Sequence, residues 1–182
     1  MPVVVGAVIV VGVLCLFDLL LTLGVIRRLR EHTDLLRELQ APAGSPVIGL
    51  AAGQGPEPFT AQTADGTSVA GPAGLRLAAF FSASCSVCPG RVAPFIEYVR
   101  ANQLGRDDVL AVLVVTDLSA PPRYLSDLAG IARVCVQPDD SELARAFSVT
   151  GYPAFCLLDS VGNVVSSGHT PAAMPAAAMA AR

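Results

Sequence analysis

Residues 3–26 form an apolar run of 24 residues broken by one formal charge, Asp18. A helix of that length is about 36 Å long, enough to cross a hydrocarbon core of about 30 Å with some tilt. Seventeen of its residues are Val, Ile, Leu or Phe, each favouring insertion by about 0.3–0.6 kcal/mol at the helix centre. Asp18 opposes by about 2.5–3.5 kcal/mol at most, so insertion wins. A cleaved signal peptide would want a basic start, an apolar stretch of about 7–15 residues and a small-residue cleavage site. No Arg or Lys precedes this run, and no Ala-x-Ala directly follows it. The run is read as an uncleaved single-pass anchor, with residues 1–2 as its N-terminal end. Asp18 is read first as a tolerated acid reaching water or backbone, and second as a contact with a partner membrane protein.

The anchor accounts for part of an unusual composition. The chain is 53% hydrophobic and 15% charged, against roughly 25% charged in ordinary soluble domains. Its mean hydropathy of +0.58 excludes disorder for most of the length. With net charge −3 and every basic residue an Arg, the basic stripe of a nucleic-acid binder is missing.

Residues 27–40 read as a juxtamembrane helix, with Leu29, Leu35, Leu36 and Leu39 at helical spacing. Residues 41–58 are rich in Ala, Gly and Pro and read as a linker. Residues 59–182 then alternate strand-like and helix-like segments. Asp65-Gly66 marks a hairpin over residues 59–69. Residues 75–81 have the length of a buried strand, and 109–115 read as a central parallel strand buried on both faces. Val92, Phe95, Ile96 and Val99 share one helical face within 87–102. Further segments are a helix over 124–131, a strand over 133–137, a helix over 141–147 opened by Ser141, and a hairpin over 154–167 turning at Val161-Gly162. This order predicts an α/β domain with a mixed sheet flanked by helices.

One site carries chemistry. Cys85-Ser86-Val87-Cys88 lies where the strand over 75–81 gives way to a helix expected to begin near Ser86. Thiols at i and i+3 in a first helical turn can bridge, and the earlier one faces unpaired N–H groups that favour its thiolate. Cys85 is therefore the expected nucleophile and Cys88 the resolving thiol. Pro89 is tolerable, since first-turn N–H groups lack intrahelical partners. Zinc would need two further ligands, and neither His32 nor His169 lies in a paired motif, so no metal and no bound cofactor beyond a redox-active Cys85–Cys88 disulfide is expected. Cys135 and Cys156 stand alone on apolar strands and Cys15 lies in the anchor; all three read as inert. Separately, Val149-Thr150-Gly151-Tyr152-Pro153 precedes the strand over 154–159, and a Pro there leaves a backbone edge open.

Together the Phe80-to-Cys88 segment and Val149-to-Pro153 resemble the thioredoxin superfamily. The Gly55-to-Phe59 lead-in and the Thr63-to-Gly66 hairpin are similar to its membrane-anchored TlpA-like branch, and within it to the accessory thioredoxins of methylamine dehydrogenase maturation. The resemblance covers about residues 55–168. It implies a thioredoxin-like fold, a cis Pro153 beside Cys85, and backbone at Tyr152 and Pro153 that binds an extended protein substrate. It further implies a membrane-tethered thiol-disulfide oxidoreductase acting on protein disulfides, more reductase or maturation factor than oxidase, served by a membrane electron donor. Several positions depart from the pattern: Ser84 replaces a Trp, Ala79 a buried acid, Pro89-Gly90 a basic residue, and Pro94 lies six rather than five residues after Cys88.

Two other classes stay open at this point. The Pro-Glu-Pro-Phe lead-in and Ser82-x-x-Cys85 are similar to peroxiredoxins, although Ala78 stands where those have Pro. A non-catalytic membrane module binding copper or a protein is the other.

Arg27, Arg28, Arg30 and Arg37 follow the anchor, which by the positive-inside rule places the domain in the cytoplasm. The resemblance implies an extracytoplasmic domain, where disulfides persist, and this is the expectation adopted. After mild reduction of intact cells, a membrane-impermeant maleimide should label Cys85. Labelling only after permeabilisation would place the domain inside.

Overall fold

The computed structural model describes residues 48–119, 123–138 and 140–176, together with Gly12 and Phe17. The chain divides into two units, Met1–Gly44 and Ser45–Arg182, and the fold below is that of the second. The spans read as anchor and juxtamembrane helix, including Cys15 and Asp18, lie outside the described residues apart from Gly12 and Phe17. Among the described residues no helix is long and apolar enough to cross a membrane.

The elements in chain order are β1 (Phe59–Gln62), β2 (Ser68–Gly71), β3 (Leu77–Ser82), α1 (Pro89–Ala101), β4 (Val109–Val114), α2 (Leu125–Leu128), β5 (Arg133–Gln137), α3 (Glu142–Ala146), β6 (Ala154–Leu158) and β7 (Val164–Gly168). Short 3-10 turns lie at Arg106–Asp108 and Pro171–Ala173. Five strands form one sheet in the order β5-β4-β3-β6-β7, and β1 and β2 form a separate hairpin. β3 pairs parallel with β4 and antiparallel with β6; β4 pairs parallel with β5, and β6 antiparallel with β7. The middle position belongs to β3, with β4 beside it.

The strands form where the sequence offers continuous apolar runs, as a sheet covered on both faces requires. Leu77, Ala78, Ala79 and Phe80 are wholly buried and Phe81 nearly so. Alternation then sends Leu77, Ala79 and Phe81 to one cluster, and Ala78 and Phe80 to the other. On the first face α1 lays down Val92, Phe95 and Val99, spaced one helical turn apart. Phe81, Phe95 and Phe155 meet there with ring centroids 5.6–5.7 Å apart. On the second face Phe147 joins Phe59 at 5.7 Å and Phe80 at 5.2 Å. Burying each such ring contributes about 1.5–3 kcal/mol.

Both outer edges of the sheet find partners, which limits edge-to-edge association. The Ala64 N–H donates to the Val134 carbonyl on β5 at 2.7 Å. On β7, Val164 donates to Gln54 and accepts from Gly53, both at 2.8 Å. Those contacts belong to the stretch read as linker. Ile48 is 3% exposed within the same cluster as Phe59, and Leu50 donates to the Phe147 carbonyl at 3.1 Å. Residues 48–58 are thus docked against the domain.

Local signals match the turns they were assigned to. Ser141 caps α3 by accepting from the Ala144 N–H at 3.1 Å. In the β1–β2 hairpin, Asp65 accepts from the hydroxyls of Thr63 and Thr67 and pairs with Arg106. These bonds, the Thr63 hydroxyl first, hold its carboxyl well below the usual carboxylate range. A carboxylate with a depressed folded-state pKa stabilises the fold above its unfolded value of about 3.9 and loses that contribution as pH falls. Asp65→Ala should therefore lower the thermal midpoint at pH 7, by an amount that shrinks as pH falls below about 4, read by circular dichroism.

Candidate active site

Because β3 and β4 run parallel and β6 opposes them, the carboxyl ends of the first two meet the amino end of the third. Open α/β sheets place their sites at that end. Cys85 and Cys88 leave β3 there, and Tyr152 and Pro153 lead into β6 there.

The helix starts later than its sequence suggested. α1 begins at Pro89, with Cys88 as its cap residue, rather than near Ser86. Pro89 explains the shift: it offers no N–H and fixes its own φ, which suits the first helical position. The segment before it is a turn, in which the Cys85 N–H donates to the Ser82 carbonyl at 3.2 Å. Cys85 is consequently not in a helical first turn. The Cys88 N–H reaches its sulfur at 3.2 Å.

The structure brings together all four residues singled out for the site. The Tyr152–Pro153 peptide bond is cis, and the Cys85 thiol donates to the Tyr152 carbonyl at 3.4 Å. Cys85 is half-buried, Cys88 is wholly buried, and neither is in a disulfide. One sulfur is open to an incoming group, and the other stands behind it.

Cys88 sits in the apolar cluster with Ala79, Phe81, Phe95 and Phe155. Burial, followed by its hydrogen bond with Cys85, pushes its thiol up to about 12, while a backbone hydrogen bond with Ser82 pulls the other way. The side chain at position 79 is a methyl group, so β3 supplies no carboxylate there to accept the Cys88 proton. Beside the pair, the Ser82 hydroxyl is buried and lies 2.9 Å from that of Ser84. Cys135 and Cys156 are wholly buried, and burial raises their thiols to about 11 and about 12. Both lie in the opposite cluster, on the other face of the sheet from Cys88. Among the described residues, no group of three or more His, Cys, Asp or Glu side chains could hold a metal ion.

One neighbour was missed. His169 was weighed only as a zinc ligand, yet its Nδ1 lies 2.7 Å from the Pro153 carbonyl oxygen. Continuing the β6–β7 pairing one step beyond Phe155 and Gly168 would have placed it level with residues 153–154.

No family model matches the sequence, and no curated protein matches it. Solved structures do. The thioredoxin domain of a thiol-disulfide oxidoreductase from Bacteroides vulgatus superposes with TM-score 0.50 at 20% identity, covering 65% of this chain and 88% of that one. A thioredoxin-family thiol:disulfide interchange protein from Chlorobium tepidum gives 0.50 at 22%, covering 71% and 91%. A thiol-disulfide oxidoreductase from Bacteroides fragilis gives 0.50 at 14%, covering 63% and 89%. At such identities the likeness shows the fold, and that fold is thioredoxin-like: a mixed sheet flanked by helices.

The two thiols should differ sharply in reactivity. With its thiol pushed upward by burial, Cys88 is almost wholly protonated at pH 8. Iodoacetamide at pH 8 should carbamidomethylate Cys85 far faster than Cys88, because the thiolate is the nucleophile and of the pair only Cys85 reaches the surface. Peptide mass spectrometry reads the ratio, and comparable rates would contradict the burial argument.

Proposed function

We propose that the chain is a thiol-disulfide oxidoreductase acting on protein disulfides through Cys85 and Cys88. The observation that carries this reading is the Cys85 sulfur held at the Tyr152 carbonyl, with Cys88 buried directly behind it. In the reduced protein the Cys85 thiolate attacks a substrate disulfide. A Cys85–substrate bond forms, the substrate S–S bond breaks, and one substrate sulfur leaves as thiolate. Cys88 then gives up its proton and attacks the Cys85 sulfur, closing Cys85–Cys88 and expelling the second substrate sulfur. Two electrons pass from the cysteine pair to the substrate, and the two protons end on the substrate thiols.

The same geometry favours reduction over oxidation. Strong oxidants of this chemistry stabilise their reduced form. At Cys88 the apolar surroundings outweigh the backbone hydrogen bond with Ser82 and push the thiol upward, so its thiolate is disfavoured. Protein substrates are favoured by two apolar side chains on connections leaving this end of the sheet, Val87 at 53% and Leu118 at 60% exposure. The backbone of Tyr152 and Pro153 would hold an extended substrate segment. On the sequence reading the domain is tethered by residues 3–26 on the extracytoplasmic side. A membrane electron donor restores the dithiol, and the resemblance to the methylamine dehydrogenase accessory thioredoxins suggests a maturation role.

Full-length protein, prereduced, should reduce insulin disulfides, and Cys85→Ser should abolish the turbidity that follows. Full activity in Cys85→Ser would overturn the assignment. Peroxide consumption without disulfide reduction would move the protein to another class.

A further inference from the structure

We infer that His169 is a positioning residue for the redox site, acting through the Pro153 carbonyl; this rests on the oxidoreductase reading above. A carbonyl oxygen can only accept, so at 2.7 Å the His169 Nδ1 must carry the proton. The bond therefore fixes the tautomer: neutral His169 has its proton on Nδ1 and its lone pair on Nε2. The residue is exposed, so hydrophobic burial does not explain where the ring lies.

The position of the bond gives it its consequence. The last β6–β7 pair is Phe155 with Gly168, and His169 follows at once. Where the backbone ladder stops, the imidazole supplies the next link, from the end of β7 to the carbonyl just beyond β6. That carbonyl belongs to the residue next to Tyr152, whose own carbonyl accepts from Cys85 at 3.4 Å. On the other side of Tyr152, the ring's Cε1 lies 3.8 Å from where a Gly151 Cβ would stand. His169 thus borders residues 151 and 153 together and holds between them the backbone that a substrate segment would meet.

The role makes itself felt in substrate binding more than in sulfur chemistry, because the imidazole touches neither thiol. In the full chain reducing insulin, His169→Phe keeps a ring of similar size but loses the donor. Its KM should rise roughly fivefold, the value of one hydrogen bond, with a smaller change in kcat. His169→Asn places an amide N–H near the position of Nδ1 and should recover most of the loss. Independently of any substitution, two-dimensional nitrogen-15 NMR of the wild-type ring should show the Nδ1–H tautomer. An Nε2–H tautomer, an unchanged KM in His169→Phe, or equal losses in the Phe and Asn variants would overturn the positioning role alone. A wild-type chain that reduces no insulin would overturn the oxidoreductase reading beneath it.

Discussion

The five residues from Leu77 to Phe81 expose 1% or less of their surface, so β3 needs a cover on each face and a strand on each side. Those four demands account for most of the domain. β4 and β6 supply the sides, α1 covers one face with Val92, Phe95 and Val99, and Phe147 with the β1–β2 hairpin closes the other. A strand so enclosed can expose functional groups only where it ends. Cys85 and Cys88 lie just past that end, and the antiparallel partner β6 necessarily begins beside them. Burial of the strand and juxtaposition of the thiols with Tyr152 and Pro153 are thus one constraint seen at two scales.

That enclosure also sets the chemistry of the second thiol. Cys88 shares its cluster with the rings that pack β3 against α1, so packing the core and raising the thiol to about 12 have the same cause. Ala79 adds a separate consequence, since an acid at that strand position could accept the Cys88 proton and a methyl group cannot. The first thiol is treated differently: half-exposed, it accepts from the Cys88 N–H and donates to a carbonyl on another element. The asymmetry of the pair comes from where the chain turns, not from the two cysteines themselves.

Much of this was legible in the sequence, because period and punctuation report local energetics. The strand over 133–137 matched to the residue, and the runs at 75–81 and 109–115 became β3 and β4 within two residues. What was misjudged involved competition between local rules and distant contacts. The helix was expected near Ser86, but Pro89 defers it, leaving the cysteines in a turn. The Pro- and Gly-rich stretch before Phe59 reads locally as linker, yet Ile48 and Leu50 dock through partners about a hundred residues away. His169 was invisible as a site residue because its partner is a backbone carbonyl, which no side-chain motif records. The pairing of Cys85 with Tyr152 came from resemblance, since no periodicity links residues 67 apart.

The division of labour between the thiols is tested most directly by trapping. Full-length Cys88→Ser, prereduced and mixed with a disulfide-bonded protein, should accumulate a mixed disulfide, because attack by Cys85 proceeds and resolution does not. Mass spectrometry should find the substrate joined to Cys85. A substrate joined elsewhere, or none trapped while Cys88→Ser still turns over, would contradict a nucleophile at Cys85 resolved by the buried thiol behind it.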